Sequence, residues 1–143
     1  MSKLASIIAL VAVTAATTAS AADCHKGSPE VLAVSEWSAR VVEVGFSEGV
    51  ALSVTLENIS SYDMRMIEGR IFFEDVLGRG ITNVKIDDDA RISANGSFTQ
   101  SGRYQTFGGT DITRLATAER ADIVVKVCVE ALVTTDGQVM RFD

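Results

Sequence analysis

From Val50 to Glu57 the chain alternates without a break. Val50, Leu52, Val54 and Leu56 are apolar, and Ala51, Ser53, Thr55 and Glu57 between them are small or polar. A period of two puts the first set on one face of an extended strand and the second on the other. A strand of this kind holds only if a second layer covers its apolar face. The pattern recurs. Between Met64 and Glu74, Ile67, Gly69, Ile71 and Phe73 share one face, and Met66, Glu68, Arg70 and Phe72 share the other. Near the end, Ile123, Val125, Val127, Val129 and Ala131 alternate with Val124, Lys126, Cys128 and Glu130. Turn chemistry separates these runs: Asn58-Ile59-Ser60-Ser61, Asp75 to Gly80, Asn95-Gly96 and Asp136-Gly137. Shorter strands are predicted at 81–86, 97–100 and 138–142, with one or two more between Val31 and Phe46 that carry Trp37. Thr110 to Ala121 breaks the pattern, with Ile112 and Leu115 three apart and no glycine or proline, and predicts a short helix capped by Thr110. The fold class is therefore all-β: an immunoglobulin-like, two-layer antiparallel sandwich of about seven strands with one short helix near 110–120.

The N-terminus is of another kind. Lys3 precedes the uncharged apolar run Leu4 to Val13, and small residues follow to Ala19-Ser20-Ala21. This is the build of a secretory signal peptide with cleavage after Ala21. The apolar run is too short for a spanning helix, which needs about 20 residues, and no later segment is long and apolar enough. Asp23 before Cys24 also departs from the small residue that lipid anchoring requires at that place. The expected organisation is a cleaved leader at 1–21, an extended lead-in at 22–30, and one domain at 31–143. The predicted localisation is outside the cytoplasm, periplasmic or extracellular. The chain of 143 residues carries a formal charge of −6, and loss of Lys3 with the leader makes the remainder more negative. Such a surface repels nucleic-acid phosphates and anionic headgroups, so no nucleic-acid partner is expected.

Cys24 and Cys128 are the only cysteines. In an exported chain two cysteines predict one disulfide. A loop of that length is worth up to about 4–5 kcal/mol in the chain-entropy account. Lys126 and Glu130 flank Cys128 on the more polar face of its strand. The bond is thus expected to cross the outside of the sandwich and pin the lead-in to the last hairpin.

Three stretches carry a further pattern. Val54-Thr55-Leu56-Glu57-Asn58 is an apolar strand ending in Asn, and Ile71-Phe72-Phe73-Glu74-Asp75-Val76-Leu77-Gly78 ends in Asp before a Gly turn. Ile92-Ser93-Ala94-Asn95-Gly96-Ser97-Phe98 then leads into a Gly-preceded strand. Together they resemble the FxLYD-type modules, small extracytoplasmic β-sandwich domains, over residues 50–98. Glu74 stands where that pattern carries an aromatic, and 103–121 has no counterpart in it. The resemblance implies an immunoglobulin-like domain outside the cytoplasm and an accessory or binding role, with no reaction.

Candidate chemistry is sparse. His25 is the only histidine, so any Ser-His-Asp hydrolase would have to use it from the mature N-terminus, a poor place for preorganised groups. Asp87-Asp88-Asp89 lacks the glycine that a calcium loop requires, since Ala90 and Arg91 follow; a solvated turn accounts for it. Met64 and Met66, expected on one strand face, form with His25 a set of soft donors suited to Cu(I). The two cysteines with His25 could make part of a metal site, but an oxidising compartment works against free thiolates. Methionines more often fill core gaps. No cofactor is expected. Asn58-Ile59-Ser60 and Asn95-Gly96-Ser97 match the glycosylation pattern, and both asparagines are expected to be reachable in turns. On the exposed side of Met64 to Glu74, Met66 and Phe72 with Tyr62 would make an apolar interface patch, unless Phe72 packs beneath the 110–121 helix. The expected function is that of an exported, non-catalytic module that binds an envelope protein or a surface ligand. The alternatives are a small periplasmic copper carrier and a purely structural envelope protein.

Overall fold

In the computed structural model, which describes residues 23–106 and 111–143, the alternating segments are strands. The leader at 1–21 and Thr110, the expected helix cap, lie outside the described residues. β1 (Leu32–Val44) turns at Gly45 into β2 (Ser47–Asn58), and β2 pairs on its far side with β5 (Ser97–Gln105). β3 (Met64–Asp75) pairs with β4 (Gly80–Lys85) on one side and β6 (Ile123–Thr134) on the other, and β6 pairs with β7 (Val139–Arg141). The result is an antiparallel sheet in the order β1-β2-β5 packed on another in the order β4-β3-β6-β7. The chain switches sheets between β2 and β3, between β4 and β5, and between β5 and β6. This is the immunoglobulin-like sandwich that the alternation predicts.

The alternation fixes the interior. Leu52, Val54 and Leu56 of β2 face Ile67, Ile71 and Phe73 of β3 and Val127 and Val129 of β6, all buried. Trp37 of β1 meets Phe73 edge-on at 5.5 Å between ring centroids. The guanidinium of Arg120 lies 4.4 Å from the centre of the Trp37 ring and closes that side with a cation–π contact. Gly69 faces this interior opposite Val129. A Cβ there would stand 2.6 Å from the Cys128 carbonyl oxygen, so only glycine lets β3 and β6 approach.

Two expectations change, and the choice of one or two strands before Phe46 resolves to one. The predicted helix is a single turn, α1 (Arg114–Thr117), followed by a 3₁₀ turn at Arg120–Asp122. Ile112 and Leu115 are buried, but Glu119 stands in extended conformation between the two turns and interrupts the helix. β1 is one strand of thirteen residues with a bulge between Val34 and Glu36. β5 runs to Gln105, beyond the expected Gln100, because its outward residues are polar and its inward row includes Gln100 and Gly102, leaving no apolar alternation to read.

Cys24 and Cys128 are bonded, with Cα atoms 5.7 Å apart. Removing the link as the Cys24→Ser, Cys128→Ser pair is expected to lower unfolding free energy by about 2–5 kcal/mol. Urea unfolding of the oxidised chain against the double variant measures it, and equal stabilities would contradict this role.

Candidate binding surface

The lead-in lies along β6. Ser28 exchanges two main-chain hydrogen bonds with Val129, at 2.8 and 3.0 Å. Lys26 pairs with Glu130 at 2.6 Å, and this contact raises the Lys26 ammonium above its ordinary pKa. Gly27 takes the left-handed conformation, φ 89°, and a Cβ there would stand 2.6 Å from the Val129 carbonyl oxygen, so both the conformation and the close approach require glycine. The disulfide sits on the outward face of the four-stranded sheet, as the neighbours Lys126 and Glu130 imply, and Cys128 itself is buried beneath Cys24 and the lead-in. His25 beside it is exposed.

Met64 and Met66 do not share a face. Arg65 is an extra residue in β3, since Met64 stands opposite Thr134 and Met66 opposite the next residue, Val133. The bulge turns Met64 into the core, 1% exposed, and leaves Met66 42% exposed on the outside. Cys128, which holds the His25 segment, pairs with Arg70, six residues or about 20 Å along β3 from Met64. The three soft donors therefore do not converge. Among the described residues no group of three His, Cys, Asp or Glu side chains is placed to hold a metal. Asp87 closes its own turn, accepting the Asp89 N–H at 3.1 Å, and Lys85 pairs with Asp88 at 2.7 Å.

The expected interface patch is also divided. Met66 and Phe72 share the outward face of β3, but Glu68 and Arg70 stand exposed between them. Phe72 does not lie beneath the helix. It is half-buried on the outer sheet face between Asn83 and Lys126, with the Lys126 ammonium 5.8 Å from its ring centre. Tyr62 belongs to the β2–β3 loop, where its carbonyl accepts a hydrogen bond from Asn58.

What forms around Met66 is a groove of about 420 Å³ between β3, β6 and β7. Met66, Ala131, Val133 and Val139 are among its apolar lining residues, and Val139 is 60% exposed. Glu68 and Arg141, 3.9 Å apart, edge it at one place, and Lys85 with Asp88 at another. The sequence carried a signal for this site: Val133 and Val139 are paired neighbours on the last hairpin. Register alone places Val133 beside Met66.

Two polar residues shape the ends of the sandwich. Asn58 is fully buried, contrary to a reachable glycan acceptor. Its amide donates to the carbonyls of Tyr62 (2.7 Å), Ser93 (3.1 Å) and Ile92 (3.3 Å), and its Oδ1 accepts the Ser60 N–H and hydroxyl. Asn95 sits in a turn with φ 59° and is exposed, as expected of a reachable residue. At the other end Asp75, 5% exposed, accepts the main-chain N–H of Arg79 and of Leu77 at 3.0 Å each and the Arg79 guanidinium at 2.7 Å. Arg114 of α1 approaches the same carboxylate at 3.5 Å. The Arg79 main-chain N–H, with the Arg79 side chain and the Leu77 N–H, holds the Asp75 carboxyl below its ordinary pKa against the opposing effect of burial. Gly78, φ 79°, completes the turn.

No family model matches the chain, and no curated protein matches it. The fold is similar to a solved structure described as the X-ray structure of Northeast Structural Genomics Consortium target SoR45, at 10% identity and a TM-score of 0.40. The likeness covers 80% of this chain and 83% of that one.

Asn58→Leu leaves three carbonyls without their donor and is expected to cost more than about 2 kcal/mol, read from urea midpoints. In a glycosylating host, peptide mapping is expected to find Asn58 unmodified. The Asp75 carboxylate adds stability above its ordinary pKa of 3.8, and this is lost as pH falls through the lower folded value. Wild type should therefore lose more stability than Asp75→Asn between about pH 5 and about pH 2. Parallel acid limbs in urea titrations of the two proteins would refute that assignment.

Proposed function

We propose that the chain is an exported, non-catalytic β-sandwich module that binds another envelope protein or a surface ligand, acting outside the cytoplasm. The observation that carries this reading is the groove around Met66, where partly exposed apolar side chains lie together between two ion pairs. A surface that is apolar at its centre and charged at its border suits a polypeptide or ligand that covers Met66 and Val139 and meets Glu68, Arg141 and Lys85 at its margin. The disulfide and the leader-like N-terminus support an oxidising compartment. Among the described residues no helix is long and apolar enough to cross a membrane. The resemblance to FxLYD-type modules points the same way. Copper carriage is not favoured, because its soft donors are dispersed.

A photo-reactive aromatic residue placed at position 66 is expected to give a discrete adduct in the native envelope, and one at position 72 none. Val139→Asp should abolish the adduct at 66 without changing the far-ultraviolet spectrum. Equal adducts at both positions, or none at either, would reject the groove as the binding site. The second of these results would leave a structural role as the better account.

A further inference from the structure

β1, the longest strand among the described residues, lies at the edge of its sheet, and no described strand pairs with the free side of its thirteen residues. Register tells which groups face that free side. The Ile59 N–H donates to the Val31 carbonyl across the start of the β1–β2 hairpin, whereas the Asn58 N–H turns the other way, to Gly96. Odd-numbered residues of β2 therefore bond toward β1 and even-numbered ones toward β5. Thr55, Ser53, Ala51 and Gly49 stand opposite Glu36, Ser38, Arg40 and Val42, so these four direct their main-chain groups to β2. Trp37, Ala39 and Val41 direct theirs outward. Among the described residues no hydrogen bond reaches them there.

Edges of this length are ordinarily guarded by charge. β1 carries Glu36 and Arg40, both exposed, and neither has an ion-pair partner among the described residues. Both lie on the outward face, with Ser38 midway between them. This spacing is self-complementary. Set two copies of β1 antiparallel about a two-fold axis that passes through Ser38, perpendicular to the sheet. Trp37 then meets the partner's Ala39, each with its main-chain N–H and C=O aimed at the other. Glu36 stands opposite the partner's Arg40, and Arg40 opposite the partner's Glu36. These are non-hydrogen-bonded positions, where Cα atoms approach to about 4.5 Å and side chains touch. An axis at Ala39 sets Arg40 against Ser38, and an axis at Arg40 sets like charges face to face, which opposes pairing. The bulge between Val34 and Glu36 ends the regular edge, so the matched stretch is the one that contains the charges.

We propose that a second copy of this chain pairs with β1 in this register, joining two three-stranded sheets into one of six strands. The groove around Met66 belongs to the other sheet and stays open, so the proposal does not depend on the binding reading above. One strand pair with two ion pairs is smaller than the roughly 1,200–2,000 Å² of a stable interface, so the dimer is expected to dissociate on dilution.

Sedimentation velocity of the oxidised mature chain from ~1 to ~500 µM tests it, a range that spans weak association. Wild type should pass from monomer to dimer, and added salt should shift the transition to higher concentration. Glu36→Arg and Arg40→Glu should each weaken association at least about tenfold by setting like charges opposite, and the two together should restore it. Ala39→Pro removes an outward N–H and should abolish the dimer while far-ultraviolet spectra stay unchanged. A wild type that remains monomeric throughout overturns the proposal, as does a dimer that both single reversals leave intact.

Discussion

The pairing of β3 with β6, from Met64 opposite Thr134 to Asp75 opposite Ile123, is the constraint on which the sandwich depends. These are the two interior strands of the larger sheet, and their inward rows form the floor on which β1 and β2 pack. β4 and β7 are short and hang from them. Two departures from regular pairing within this ladder produce the surface features. The extra residue Arg65 turns Met64 inward and Met66 outward, and the extra residue Glu130 brings a carboxylate to Lys26 of the lead-in. A side chain at position 69 would hold the two strands apart, so the glycine there is a condition of the ladder itself.

The two sheets present different outsides. On β1-β2-β5 the outward rows are polar, with charge at Glu36, Arg40, Glu57 and Arg103 and hydroxyl pairs at the centre between Thr55 and Thr99 at 2.8 Å and Ser53 and Ser101 at 3.1 Å. On the other sheet long side chains pair with one another: Lys126 with Glu74 at 2.8 Å, and Arg70 donates to Asn83 at 2.7 Å. Phe72 is half covered by this network, which is why it does not join Met66 in one apolar surface. Met66 lies beyond the network, where β7 is too short to cover it.

What could be read from the sequence follows from which signals are local. Period-two alternation is local, and it placed β2 and β3 from Met66 to Phe73 with their buried faces, and that of β6 as far as Val129. Past the extra residue Glu130, Ala131, expected inward, stands opposite the exposed Glu68, and Leu132 turns inward. The disulfide could be read because two cysteines admit one pairing. Local pattern does not carry pairing irregularities. Nothing in Met64-Arg65-Met66 announces a bulge, and a one-residue shift reverses every facing after it. Asn58 misleads for a related reason. Its neighbours spell a turn and an acceptor motif, but carbonyls more than thirty residues away draw its amide inward. Between Ile112 and Ala121 the apolar spacing fits a helix, but the two residues that reach the core are Ile112, before α1, and Leu115, within its single turn, while the following 3₁₀ turn buries none. The groove needed register between β3 and β6, which only the folded ladder supplies.

The lead-in shows how the covalent and non-covalent parts of the fold depend on each other. β7 pairs with β6 only at Ala131, Leu132 and Val133, so the edge of β6 beyond them is left to the lead-in. That segment makes one bridge, through Ser28, and one ion pair, through the exposed Lys26. Two main-chain hydrogen bonds contribute net about 0.5–1.5 kcal/mol each, and ordering a backbone residue costs about 1–2 kcal/mol. The residues between Cys24 and Glu30 therefore cannot hold their place by these contacts alone. The bond to Cys128 removes most of that cost from folding, because it keeps the lead-in beside β6 in the unfolded chain as well. Cover of this edge is thus conditional on oxidation. Reduction would release the strap and leave the main-chain groups of Val129, now paired with Ser28, open to another strand.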